Sequence, residues 1–272
     1  MAELAPVRLI LVGCGKMGGA MLRGWLARGL SPKGSRVVEP NPVGIADLSV
    51  PVVAAAAAIP TDVSPDAVVL AVKPQMMDEA ILHYRRFARP ETLFLSIAAG
   101  KTIAYFQHHL GHQAALVRAM PNTPAAIGRG ISVAVASTRV SADQRRLADT
   151  LLAACGEVAW VEEEALLDPV TALSGGGPAY VFLLIETLAE AGRKAGLPAE
   201  LALRLARITV QGAGELARLS PDSPAELRRA VTSPKGTTLE ALNILMAEDG
   251  IQPLFDRAIA AATRRSRELA GI

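Results

Sequence analysis

The chain has 272 residues, enough for two domains, and 51% hydrophobic with only 4% aromatic residues describes a soluble α/β protein rich in small aliphatics, with nothing to suggest disorder. Its 28 basic and 26 acidic side chains leave a formal charge of +2, so it lacks the broad positive field of a nucleic-acid binder, and a small anion must be held by a local site. Cys14 and Cys155 lie too far apart for a disulfide framework and fit a reducing cytoplasm, and no apolar run reaches the roughly 18 residues expected of a membrane span.

Arg8 to Val12 is a short apolar run that reads as a buried parallel strand rather than a signal peptide. It leads into Gly13-Cys14-Gly15-Lys16-Met17-Gly18, and Ala20, Met21, Leu22, Trp25 and Leu26 then follow a helical pattern. Strand, glycine loop and helix form the dinucleotide fingerprint, in which the glycines make the tight turn, admit a pyrophosphate to the backbone and let the helix pack close. Val37-Val38-Glu39 supplies a second strand and an acid about 20 residues on, where a ribose hydroxyl finds its partner. Ala54 to Ala58 reads as a short helix without a functional signal.

Further β-rich runs follow at Ala67 to Val72, Thr92 to Ile97, Ala115 to Met120, Ile131 to Val135 and Val158 to Val161, alternating with helical segments. The expected fold is therefore α/β, a Rossmann-like doubly wound sheet over residues 1–162. Ligands of such sheets bind beyond the carboxyl ends of the strands. Three loops there stand out: Ala71-Val72-Lys73-Pro74, whose lysine is either at the crevice or simply solvated; Ala98-Ala99-Gly100, small enough for a flat nicotinamide to lie against the backbone; and Met120-Pro121-Asn122-Thr123-Pro124, where Asn122 serves either the turn or a ligand. His108 and His112 share a helix face at this spacing, but without cysteine or carboxylate support a solvated face is the better reading and no metal site is expected.

From residue 163 to 272 the strand signal is replaced by helical patterns at Pro178 to Ala195, Ala199 to Leu219, Leu239 to Met246 and Pro253 to Leu269, an all-helical second domain. Pro178 to Ile185 is apolar nearly all round and must be buried, most easily between subunits. Before it, Ser174-Gly175-Gly176-Gly177 frees the backbone for close approach by a ligand or another segment, or for a hinge. Thr232-Ser233-Pro234-Lys235-Gly236-Thr237-Thr238 opens a helix, with Thr237 and Glu240 reading as a capping box. Its free N–H groups suit a carboxylate, although an ordinary capped surface helix has the same pattern.

Taken in this order, the glycine loop and the Met-Pro-Asn-Thr-Pro, Ser-Gly-x-Gly-Pro-Ala-Tyr and Thr-Ser-Pro-x-Gly-Thr-Thr runs make the chain resemble the pyrroline-5-carboxylate reductase family over nearly its whole length. The resemblance implies hydride transfer from NAD(P)H to the C5=N bond of 1-pyrroline-5-carboxylate, giving L-proline, by a homodimer or larger homo-oligomer with the helical domain, 163–272, for substrate binding and dimerisation. It also implies cofactor contacts from Gly13, Cys14, Gly15, Lys16, Met17, Gly18, Ala71, Val72, Lys73, Pro74, Ala98, Ala99, Gly100 and Asn122, and substrate contacts from Ser174, Gly175, Ser233, Gly236, Thr237 and Thr238. Glu39 leans the cofactor toward NADH, since a carboxylate repels a 2′-phosphate. Lys235 and Gly176 depart from the glycine and serine common in the family.

The residues support this chemistry on their own. A cyclic imine arrives protonated, so the protein needs only to bind its carboxylate, orient the ring and give its N–H a partner, for which the Thr238 hydroxyl is the candidate. A β-hydroxyacid dehydrogenase would instead need a catalytic lysine in the helix after the glycine run. Lys194, at the last turn of that helix, is badly placed for it. A non-catalytic dinucleotide sensor would have no use for a second anion loop.

Overall fold

The computed structural model describes residues 4–45 and 47–271. Two compact units emerge, one ending at Gly175 and taking in the chain from Ala262, and one of residues 176–261.

The first unit alternates β1 (Leu9–Val12), α1 (Lys16–Ala27), β2 (Arg36–Val38), β3 (Val52–Val53), β4 (Ala67–Leu70), α2 (Met77–Ile81), β5 (Leu93–Ser96), α3 (Ile103–Leu110), β6 (Ala115–Met120), β7 (Gly130–Ala136), α4 (Ala142–Ala153) and β8 (Gly156–Trp160). Its eight strands lie in the order β3-β2-β1-β4-β5-β6-β7-β8. All neighbours pair in parallel except β6 with β7. The order reverses between β1 and β4, which is the switch point of a doubly wound sheet. β1, β4 and β5 are buried at every residue, which is why they read as unbroken apolar runs. Leu9, Leu11, Val69 and Leu95 enter one core with Trp25 and Leu151, while Ile10, Val12, Val68 and Phe94 enter the opposite core with Ile81, Phe87 and Phe106.

Several expectations are corrected. β3 is only two residues long, too short for a periodicity signal, and a 3-10 turn at Ala56–Ala58 stands where a short helix was expected. Gly111, with φ of 102°, ends α3 at Leu110, so His112 is off the helix and shares no face with His108. After β8 come α5 (Leu167–Val170) and a π-turn at Thr171–Gly175, the wider winding that recurs at functional sites.

The second unit holds α6 (Gly177–Lys194), α7 (Ala199–Leu219), α8 (Pro224–Ala230), α9 (Thr237–Leu245) and most of α10 (Ile251–Ala270). α8 starts at a true capping box, Ser223 with Glu226, and was not anticipated. Within one chain α6 has no buried residue, and Phe182 is 60% and Leu183 57% exposed, so the cover expected for this apolar helix does not come from its own chain. Within the 31 residues Glu164–Lys194 an 18-residue window has a mean hydropathy of 1.3, long and apolar enough to cross a membrane by length and composition only.

One buried ion pair joins the start of this helical stretch to the sheet. Arg118 Nη1, on β6, lies 2.8 Å from Glu164 Oε1, with side-chain exposures of 7% and 29%. Removing one partner of a fully buried pair costs roughly 3–5 kcal/mol, so Glu164→Ala, whose carboxylate is partly solvated, should cost about 2–3 kcal/mol. Urea unfolding at fixed protein concentration measures this. A loss below about 0.5 kcal/mol would mean that water replaces the carboxylate at Arg118.

Candidate active site

Two cavities flank the switch point. The first, about 520 Å³, lies beyond β1 and β2 and is lined by Gly13, Gly15, Glu39, Ala55, Val72 and Tyr84 among others. The second, about 640 Å³, lies beyond β4, β5 and β6 and is lined by Gly15, Lys16, Met17, Pro74, Ile97, Ala98, Ala99, Met120, Asn122 and Gly175 among others. Both share Gly15, Ala71, Val72 and Lys73. An elongated ligand whose middle rests on the glycine loop can therefore place one end in each.

The loop accommodates this because side chains are missing where the backbone crowds. A Cβ on Gly13, whose φ is 85°, would stand 2.8 Å from Val72 N, and one on Gly18 would collide with the Gly13 carbonyl. α1 starts at Gly15 with no side-chain cap, so its first N–H groups face open space suited to a pyrophosphate. Glu39 closes the turn from outside. Its Oε2 accepts from the Cys14 N–H at 2.8 Å and its Oε1 from the Asn41 N–H at 3.0 Å, while the carboxylate still borders the first cavity. Burial and the Glu39 charge push the Cys14 thiol up to about 11, which keeps it protonated and unreactive at neutral pH.

Asn122 serves the turn and also borders the second cavity. Its Oδ1 accepts from Ile131 N–H at 2.9 Å, its Nδ2 donates to Ser174 Oγ at 3.2 Å, and it lines the second cavity. Gly175, at the end of the π-turn, lets Met120 approach so closely that a Cβ would stand 2.6 Å from its Cε. Ser174 and Gly175 are thus brought beside the same cavity as Ala98, Ala99 and Asn122. Gly100 faces away from it. Met120, Pro121 and Thr123, in the loop the sequence singled out, also line this wall, whereas Ala54 to Ala56, Met76 and His83 in the first cavity carried no signal of their own.

In the second unit, Ser233, Gly236, Thr237 and Thr238 open α9. The expected Thr237–Glu240 capping box is absent: the N-cap is Gly236, with no side-chain cap, so Thr237 and Thr238 are the first two helical residues. The chain turns earlier than the pattern suggests because Lys235 takes the left-handed conformation, φ 61°, the one such non-glycine among the described residues. Among those residues no group accepts from the Thr237 or Thr238 N–H, and a side chain on Gly236 would displace the Ser233 hydroxyl. Lys194, the residue a dehydrogenase of the hydroxyacid type would need, instead neighbours Glu190 at 3.7 Å.

Residues 164–269 match the family model described as pyrroline-5-carboxylate reductase dimerisation, and residues 8–100 match that of NADP oxidoreductase coenzyme F420-dependent. The chain is 41% identical to the pyrroline-5-carboxylate reductase of Pseudomonas aeruginosa over 98% of both chains, and 36% identical to that of Pisum sativum over 98% and 99%. Among solved structures it resembles the pyrroline-5-carboxylate reductase of Coxiella burnetii, with a TM-score of 0.89 at 33% identity covering 97% and 98% of the two chains. It also resembles the Plasmodium falciparum enzyme crystallised with NADP bound, with a TM-score of 0.82 at 26% identity covering 98% and 99%.

Lys235 offers a direct test of the loop geometry. A left-handed backbone costs an L-residue about 1–2 kcal/mol, part of which glycine returns through its freedom in the unfolded chain. Lys235→Gly should therefore raise stability by about 0.5–1 kcal/mol, read as a higher urea midpoint at unchanged slope. A lower midpoint would show that the lysine side chain contributes more than its backbone costs.

Proposed function

Because the chain belongs to the pyrroline-5-carboxylate reductase family, we propose an assignment of roles to its residues for that family's reaction. The enzyme reduces the C5=N bond of 1-pyrroline-5-carboxylate with NAD(P)H to give L-proline, the last step of proline biosynthesis. The observation that carries the assignment is the pair of cavities joined over one glycine loop, together with an uncapped helix start in the second unit.

In this reading Gly13 to Gly18 hold the pyrophosphate, Glu39 borders the adenosine ribose, and Ala71 to Pro74, Ala98, Ala99 and Asn122 hold the nicotinamide end. The dinucleotide supplies the hydride. The protein does the rest by positioning. The N–H groups of Thr237 and Thr238, with Ser233 and Gly236, bind the substrate carboxylate at the positive end of α9. Ser174 and Gly175 border the ring, and the Thr238 hydroxyl accepts the imine N–H. The open faces of α6 belong to a homo-oligomer, in line with the dimerisation model over 164–269. The two free, buried cysteines suit a cytoplasmic location.

Thr238→Ala should remove a hydrogen bond to a charged group, about 1.5–3 kcal/mol, and so lower kcat/KM for the imine roughly ten- to hundredfold with cofactor affinity unchanged. Thr237 makes no cap, so Thr237→Ala is the control and should alter neither stability nor turnover much. Equal damage from both, or none from Thr238→Ala, would move the substrate elsewhere.

NADH should be preferred, because a 2′-phosphate in the first cavity would meet the Glu39 carboxylate. Glu39→Gln keeps an acceptor for the Cys14 N–H while removing the charge. The ratio of kcat/KM for NADPH to that for NADH should therefore rise about tenfold, the weight of one removed charge contact of about 1.4 kcal/mol. An unchanged ratio would mean that the carboxylate serves the loop alone.

A further inference from the structure

Two segments distant in sequence meet behind the turn that walls the second cavity. Ala98 and Ala99 line that cavity, but Gly100, with φ of 73°, faces away, and a Cβ there would stand 3.1 Å from the Leu269 carbonyl oxygen and 3.3 Å from its Cβ. The last turn of α10 is therefore packed directly onto the turn. Three residues further on, the Ile103 N–H donates to Glu164 Oε1 at 2.8 Å, the same oxygen that receives Arg118. Glu164 and Leu269 lie on opposite chain flanks of residues 176–261.

The two flanks are tied to each other. Ser266 Oγ donates to Asp168 Oδ1 at 2.7 Å with both residues 6% exposed, and Arg267 Nε stands 3.9 Å from Asp168 Oδ2. A buried carboxylate needs such a donor, so this bond fixes the register of the last α10 turns against α5. That register decides where Leu269 meets Gly100.

We infer that the Asp168–Ser266 pair is a clasp that positions the cofactor: it holds the end of α10 against Gly100 and so sets the Ala98–Ala99 wall for the nicotinamide end. Ser266 is a positioning residue, since it acts through the turn and touches no reactant. The inference rests on the assignment of the second cavity to the nicotinamide.

The test compares NADH with ADP-ribose, which lacks the nicotinamide and uses only the glycine loop and first cavity, by calorimetric binding to the full chain without substrate. Ser266→Ala should weaken NADH about three- to tenfold, as expected of one buried hydrogen bond, and leave ADP-ribose within twofold. Ser266→Thr, which keeps the hydroxyl, should restore NADH binding. If Ser266→Ala does not fold, a chain ending at Glu268 keeps the clasp but lacks Leu269 and should show the same selective loss. Unchanged NADH binding, or equal weakening of both ligands, would make the clasp ordinary packing and overturn the inference. Failure of the reductase reading shows separately, as wild-type enzyme that binds NADH but does not turn over 1-pyrroline-5-carboxylate.

Discussion

The cofactor half of the molecule depends on backbone meeting backbone where β1 hands the chain to α1. The space between Gly13 and Val72 admits no Cβ, and Gly18 sits on the Gly13 carbonyl, so the helix can start directly over the end of the sheet only if both positions lack side chains. That closeness gives β1 and β4 a shared opening at the switch point. Among the described residues, no side chain caps the first N–H groups of α1. Sheet packing and anion binding are thus consequences of one steric requirement, and neither can be altered without the other.

Around that point, charge is used sparingly and inside. Glu39 uses both oxygens on backbone N–H groups, one of them in the glycine loop, so the acid at the end of β2 also shapes that turn. Arg118 and Glu164 do the equivalent on the other side, where a cation in the sheet fixes the first residue of the helical stretch. Each is a polar contact between elements that the hydrophobic cores alone would leave free to slide. Specificity of register, rather than net stability, is what such pairs supply.

What was legible in the sequence follows from local physics. β1, β4 and β5 showed because strands buried on both faces are continuously apolar, and the glycine loop because its spacing serves a steric need. Val52–Val53 was silent because two residues have no period. The capping-box pattern at Thr237 and Glu240 was misleading, since the strained backbone at Lys235 starts the helix one residue earlier, while the real boxes at Ser141 with Gln144 and Ser223 with Glu226 carried no apolar signal strong enough to single them out. The faces of α6 were legible as apolar and in need of cover, and burial there is not decided within one chain. Asn122 could not be assigned from sequence since its partners, Ile131 and Ser174, are set by the antiparallel turn and the π-turn.

The reversal of β7 has a consequence for how this protein can change. Six strands point their carboxyl ends to one edge, and the loops beyond β1, β2, β4, β5 and β6 are taken up by the two cavities. β7 and β8 point the other way, so the loops that leave them open on the far edge of the sheet and offer nothing to the crevice. In the proposed assignment the second reactant is therefore held by residues that follow the sheet in the chain. Substitutions that retune the electron donor and substitutions that retune the acceptor accordingly fall in different stretches of the gene, and selection can act on one specificity while the other stays fixed.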